Sequence, residues 1–172
     1  MGSKARILGI DLGRSTGYCI LEVGTNKVLD VGARKLQGKN NTDYIYDMYL
    51  WLRTLAHGMR AIAWEAPPFV LYGKDKKINP KTHAQLQRYD AVCRLVAKEW
   101  NLPYKDVNVM TAKKHCTGSG KADKPGVRGG VLKALDHEFL TPKGKPMLYD
   151  ATDAACIALY LSSHLKEVIG IE

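Results

Sequence analysis

No stretch of the chain approaches the roughly 18 consecutive apolar residues of a membrane-spanning helix, and the first residues, Met1 to Arg6, lack the apolar core of a secretory signal. A cytoplasmic protein without membrane partners is the expectation. Cysteine is scarce. Cys19, Cys93, Cys116 and Cys156 lie far apart with no Cys-x-x-Cys pair, which argues against a zinc knuckle or a dithiol redox motif and predicts reduced thiols. The histidines, His57, His83, His115, His137 and His164, show no metal-ligand spacing. Internal repeats and low-complexity segments are lacking too. What is present, 172 residues of which 45% are hydrophobic and 25% charged, suits a single domain over 1–172 with one sizeable core.

Acidic residues are also in deficit, 17 against 26 Lys and Arg, for a net charge of +9. Two segments hold nearly all of the excess. Lys74, Lys76, Lys77, Lys81 and Arg88 face only Asp75, while Lys105, Lys113, Lys114, Lys121, Lys124 and Arg128 face only Asp106 and Asp123. Basic side chains gathered in loops and helix starts are what a phosphate backbone needs, although a solvated charged surface has the same composition. Lys74, Lys76, Lys77, Lys81, Lys114, Lys121 and Arg128 are the candidate DNA contacts.

Hydrophobic periodicity lays out an α/β chain. Apolar runs at 6–10, 17–23 and 28–36, separated by turn-rich Gly13 to Thr16 and Gly24 to Asn26, predict three antiparallel strands. From Thr42 the period lengthens. Ile45, Met48, Tyr49, Leu52 and Leu55 mark an amphipathic helix with Asn41 or Thr42 as cap and Gly58 as stop. A short buried strand at 60–65 implies a parallel crossover, and Pro80 opens a second helix ending near Asn101. Alternation over 104–110 predicts a fifth strand followed by a Gly/Lys loop. A weaker helix follows Pro125, and a last helix runs through Val168, with Asp150 as its cap.

Three acidic positions stand in apolar surroundings, where a charge needs a reason. Asp11 closes the first strand and Glu65 the fourth, so the two carboxylates meet at the sheet ends if the crossover returns beside the first strand. Asp150 and Asp153, three residues apart, share one helix face. Each has a bland alternative as a turn former, cap or dipole partner. Jointly, four such acids repel one another without divalent cations, and hard oxygen donors favour Mg²⁺, or Mn²⁺ in its place, over zinc. Gly118-Ser119-Gly120-Lys121 is not a nucleotide-binding loop, because His115 stands at the required first glycine and Ala122 at the required Ser/Thr.

A strand-end Asp, a strand-end Glu and a late Asp-x-x-Asp resemble the layout of ribonuclease H-like two-metal nucleases. Gly9-Ile10-Asp11-Leu12-Gly13 with Thr16-Gly17-Tyr18, the stretch Lys113 to Lys124 with its Gly118-Ser119-Gly120, and Asp150-Ala151-Thr152-Asp153-Ala154 together resemble the motifs of RuvC-type Holliday junction resolvases, in the same order. Leu12 departs from the family's usual proline, and Phe69 lies one place off its usual aromatic. A divergent member, of bacteriophage origin, fits these departures.

The resemblance implies a ribonuclease H-like fold, with a five-stranded mixed sheet whose first three strands are antiparallel, flanked by helices. It implies a Mg²⁺-dependent endodeoxyribonuclease that cleaves four-way junctions and other branched DNA such as forks, leaving 5′-phosphates. Asp11, Glu65, Asp150 and Asp153 would hold the metals, Lys113 and Lys124 would serve the scissile phosphate, and Phe69 or Tyr72 would contact the opened junction. It also implies a homodimer, for which the stripe Leu86, Tyr89, Val92, Cys93 and Val96 is the candidate interface, with monomer core as the alternative. Three other readings stand beside it: a non-catalytic branched-DNA-binding module, a YqgF-like nuclease acting on RNA, and an actin-like ATPase lobe. The last needs a second lobe for which the chain has no room.

Overall fold

In the computed structural model, residues 5–68, 79–138 and 149–170 are described. Strands β1 (Arg6–Asp11), β2 (Ser15–Glu22), β3 (Val28–Lys35), β4 (Ala61–Glu65) and β5 (Tyr104–Val107) form one sheet in the order β3-β2-β1-β4-β5. The first three are antiparallel, and β4 and β5 run parallel to β1. Helix α1 (Asn41–Ala56) supplies the crossover from β3 to β4, and α2 (Pro80–Glu99) precedes β5. Helices α3 (Val109–Thr117), α4 (Lys124–Leu135), α5 (Tyr149–Ser163) and α6 (Leu165–Ile169) complete the chain.

Strand alternation divides the core between the two faces of the sheet. Ile7, Cys19, Leu21, Ala61 and Ala63 point to the side covered by α3, α4 and α5. Leu8, Ile10, Ile20, Ile62 and Trp64 point to the side covered by α1 and α2. With odd positions of β1 and β4 on the α5 side, Asp11 and Glu65 continue the series that faces α5. None of the four cysteines is bridged to another.

Two glycines let α5 lie against the strands. A Cβ at Gly9 would sit 2.5 Å from the Ala154 carbonyl oxygen, and one at Gly17 would sit 1.9 Å from that of Asp150. Both distances are well inside van der Waals contact, so the backbone of α5 is seated where β1 and β2 have no side chain.

Several sequence expectations are corrected. The cap of α1 is Asn40, whose side chain accepts from the Asp43 amide. The fifth strand stops at Val107, because Asn108 caps a new helix through a 2.8 Å bond to the Met110 amide, and Gly118 ends that helix in the left-handed region. Lys113 and Lys114 therefore sit on a helix, not in a loop. Asp150 lies inside the first turn of α5, not at a cap, and the final helix breaks at His164. The stripe Tyr89, Val92, Cys93 and Val96 is consumed by the monomer's own core against α1 and the sheet, with Leu86 packed partly buried beside it. An intermolecular contact cannot use it.

Candidate active site

Asp11 and Glu65 end adjacent parallel strands, in register through Ile10 and Trp64. Their carboxyls touch. Burial raises Asp11 well above the ordinary carboxylate range, with Glu65 adding to the shift by its charge and as a hydrogen-bond partner, and Asp153 and Asp150 adding further. Burial raises Glu65 too, opposed chiefly by the hydrogen bond from Asp11. Both carboxyls are therefore raised together, Asp11 the more strongly.

Helix α5 brings the second pair. Burial raises Asp153, opposed by the charges of Lys124 and Lys113. Asp150 is tethered across the site, since Ser15 Oγ donates to its carboxylate at 2.5 Å. Ser15 begins β2, and nothing in its local sequence marks a partner 135 residues away. The lysine side of the site is α3. Lys113 Nζ donates to the Ala122 carbonyl at 3.1 Å, and the side chain lines a small cleft with Glu65, Ala112, Asp153 and Cys156. Lys124 Nζ lies 5.6 Å over the Tyr149 ring at the start of α5.

The acids and the two lysines are therefore brought together from β1, β4, α5, α3 and α4. Lys114 and Lys121 are exposed nearby in sequence, on α3 and before α4, and Arg128 is half-buried on α4. Lys81 is exposed in the first turn of α2. Phe69, Tyr72, Lys74, Lys76 and Lys77 lie outside the described residues.

Among the described residues, no three His, Cys, Asp or Glu side chains already surround one point closely enough to hold an ion. The donor set nevertheless fits a hard divalent cation: four carboxylates, three of them raised by burial or by one another, and no sulfur or imidazole among them. Among the described residues no helix is long and apolar enough to cross a membrane.

No family model matches the chain. Individual proteins do. The crossover junction endodeoxyribonuclease RuvC of Methylorubrum extorquens is 30% identical over 167 residues, which span 95% of this chain and 83% of that protein. RuvC of Thermus thermophilus has a similar fold, with a TM-score of 0.73 at 19% identity, covering 94% of this chain and 96% of that one. It has also been solved in complex with a Holliday junction substrate. The yeast mitochondrial Holliday junction resolvase Ydc2 aligns with a TM-score of 0.63 at 17% identity, over 97% of this chain and 82% of that one.

Proposed function

The chain belongs to the RuvC family of crossover junction endodeoxyribonucleases, and from that membership we propose that it hydrolyses phosphodiesters in four-way junctions and related branched DNA, using Asp11, Glu65, Asp150 and Asp153 as the catalytic acids and Mg²⁺ as the cation. One observation carries the reading: Asp11 and Glu65 meet at the sheet ends, where α5 presents Asp153 between Lys113 and Lys124.

When bound, divalent cations stabilise the attacking and leaving oxygens of an in-line displacement. The four carboxylates would hold them, and binding would offset the burial and mutual repulsion that raise Asp11. Lys113, fixed by its bond to the Ala122 carbonyl, presents its charge beside Glu65 and Asp153. There it can stabilise the charge that builds on a scissile phosphate in the transition state. Lys124, held over Tyr149, does the same from the other lysine position. Water attacks phosphorus and gives up a proton to solvent, the bond to the 3′-oxygen breaks and that oxygen takes up a proton to leave a 3′-hydroxyl, and the 5′-phosphate remains on the cleaved strand.

A junction presents two equivalent strands and each chain carries one acid cluster, so paired nicking calls for a second copy. Because the α2 stripe is buried, that copy must dock elsewhere. A non-catalytic role is disfavoured by the retention of all four acids with both lysines in place.

The test is cleavage of a synthetic mobile four-way junction beside a fork and a plain duplex, with Mg²⁺ and with EDTA. Mg²⁺-dependent cleavage of the junction, lost in Asp11→Asn with binding retained, is expected. Equal cleavage of plain duplex, or activity surviving in both Asp11→Asn and Glu65→Gln, would overturn the proposal.

A further inference from the structure

Strand β2 outruns its neighbour at the acid end of the sheet. Asp11, the last residue of β1, has Gly17 as its Cα partner, so Ser15 and Thr16 extend past β1, where they pair with Lys35 and Arg34 of β3. The overhang is firmly built. Thr16 is fully buried and donates from Oγ1 to the Gly13 carbonyl at 2.6 Å, and the Leu36 amide donates to the Arg14 carbonyl at 2.9 Å. A hydroxyl on Ser15 is therefore a donor held at a fixed place.

That donor and the seat of α5 act on one residue. Ser15 and Gly17, two apart on a strand, share a sheet face. Gly17, lacking a side chain, admits the main chain of Asp150, while Ser15 Oγ donates to Asp150 Oδ2 at 2.5 Å. Strand β2 thus grips Asp150 twice, once by its backbone and once by its carboxylate.

The carboxylate needs the second grip. Asp150 lies in the first turn of α5, and an aspartate in a helix has more than one staggered rotamer open to it. The charges of Lys113 and Lys124 bear on Asp153, and that of Lys113 on Glu65. The hydrogen bond that fixes Asp150 comes from Ser15, and with Oδ2 engaged, Oδ1 is left for a cation. Mg²⁺ demands near-ideal placement of its oxygen ligands, and groups that hydrogen-bond a ligating side chain orient it for the metal.

We infer that Ser15 is a positioning residue of the cation site: its hydroxyl holds the Asp150 carboxylate in the rotamer that ligates, and so sets how tightly the protein binds Mg²⁺. The inference rests on the proposed nuclease function and adds to it a residue outside the four acids and two lysines.

Metal binding without DNA, and so without turnover, tests it. Titration with Mn²⁺, followed through the electron paramagnetic resonance signal of the free ion, gives the affinity directly. Ser15→Ala is expected to weaken Mn²⁺ binding about 10–100-fold and to raise the Mg²⁺ concentration for half-maximal junction cleavage by a similar factor. The cleavage rate at saturating Mg²⁺ is expected to return to within about threefold of wild type, because the lost group orients a ligand and touches no reacting atom. Added to Asp150→Ala, Ser15→Ala is expected to change Mn²⁺ affinity by less than about twofold, since the residue through which it acts is gone. Wild-type Mn²⁺ affinity in Ser15→Ala overturns the inference while wild-type cleavage stands. So does a rate that saturating Mg²⁺ fails to restore, or an undiminished effect of Ser15→Ala in the Asp150→Ala background. Failure of the wild-type protein to cleave the junction, whatever its Mn²⁺ affinity, overturns the nuclease reading instead.

Discussion

Gly17→Ala places one methyl group where β2 meets α5. Its Cβ would lie 1.9 Å from the Asp150 carbonyl oxygen and 2.4 Å from the carbonyl carbon, against the 3.4 Å at which ordinary contact begins, so about 1.5 Å of separation must be found. The neighbouring atoms are backbone and cannot rotate away. Helix α5 must lift at its first turn, or β2 must bend. Overpacking of this kind costs about 1–3 kcal/mol, which for a protein of this length lowers the melting temperature by roughly 2–12 °C. The catalytic cost is expected to be larger. A misplacement of about 1 Å costs on the order of 100-fold in rate, and both Asp150 and Asp153 ride on the displaced turn. Junction cleavage under single-turnover conditions, at a temperature where both proteins are folded, measures the rate, and scanning calorimetry measures the stability. A Gly17→Ala protein that cleaves within twofold of wild type and melts at the same temperature would refute the account of how α5 is seated.

Gly129→Ala is expected to act in the opposite direction, since an added Cβ meets nothing within 4 Å inside α4; removing helical glycine should raise stability by up to about 1 kcal/mol, read as a higher melting temperature. Asp11→Asn is expected to stabilise the protein in EDTA at neutral pH. A carboxyl raised in the folded state binds more protons there than in the unfolded chain, so wild-type stability falls as pH rises from the ordinary carboxylate value of 3.8 through the raised one, and the advantage of Asn should vanish toward acid pH. Added Mg²⁺ should raise the melting temperature of wild type more than that of Asp11→Asn. Lys113→Ala should lower the single-turnover cleavage rate at least tenfold with little change in junction affinity, because its charge is directed at the acids rather than along a DNA track. Light scattering at micromolar concentration is expected to give the mass of two chains.

The acids were legible because a carboxylate closing an apolar strand has few structural uses, and because Asp-x-x-Asp on a helix has one face. Strand alternation then places Asp11 and Glu65 on the side that receives α5. Helix α3 was missed because Val107 and Val109 alternate like a strand, although Asn108 and Gly118 bracket the segment with a helix cap and a helix stop. The α2 stripe shows the opposite weakness. Amphipathic spacing says that a face is covered but not by what, and Tyr89 and Cys93 are covered by α1 and the sheet. Ser15 gave no signal at all, since its partner is defined only when β2 and α5 pack.

The sheet also gives the molecule a quiet end. Strands β1 and β4 finish at the acids, β2 starts beside them, and α5 runs away from them, so the turn after β2 lies at the far rim with the last turn of α5, where Ser162 Oγ donates to the Asn26 side chain at 2.5 Å. At that rim Gly24 adopts a positive φ of 86°, and nothing lies within 4 Å of the position its Cβ would take. A dye, affinity handle or short peptide joined beside this turn stands a full strand length from the chemistry, which makes it the natural attachment point for following the protein on a junction without touching the cutting edge.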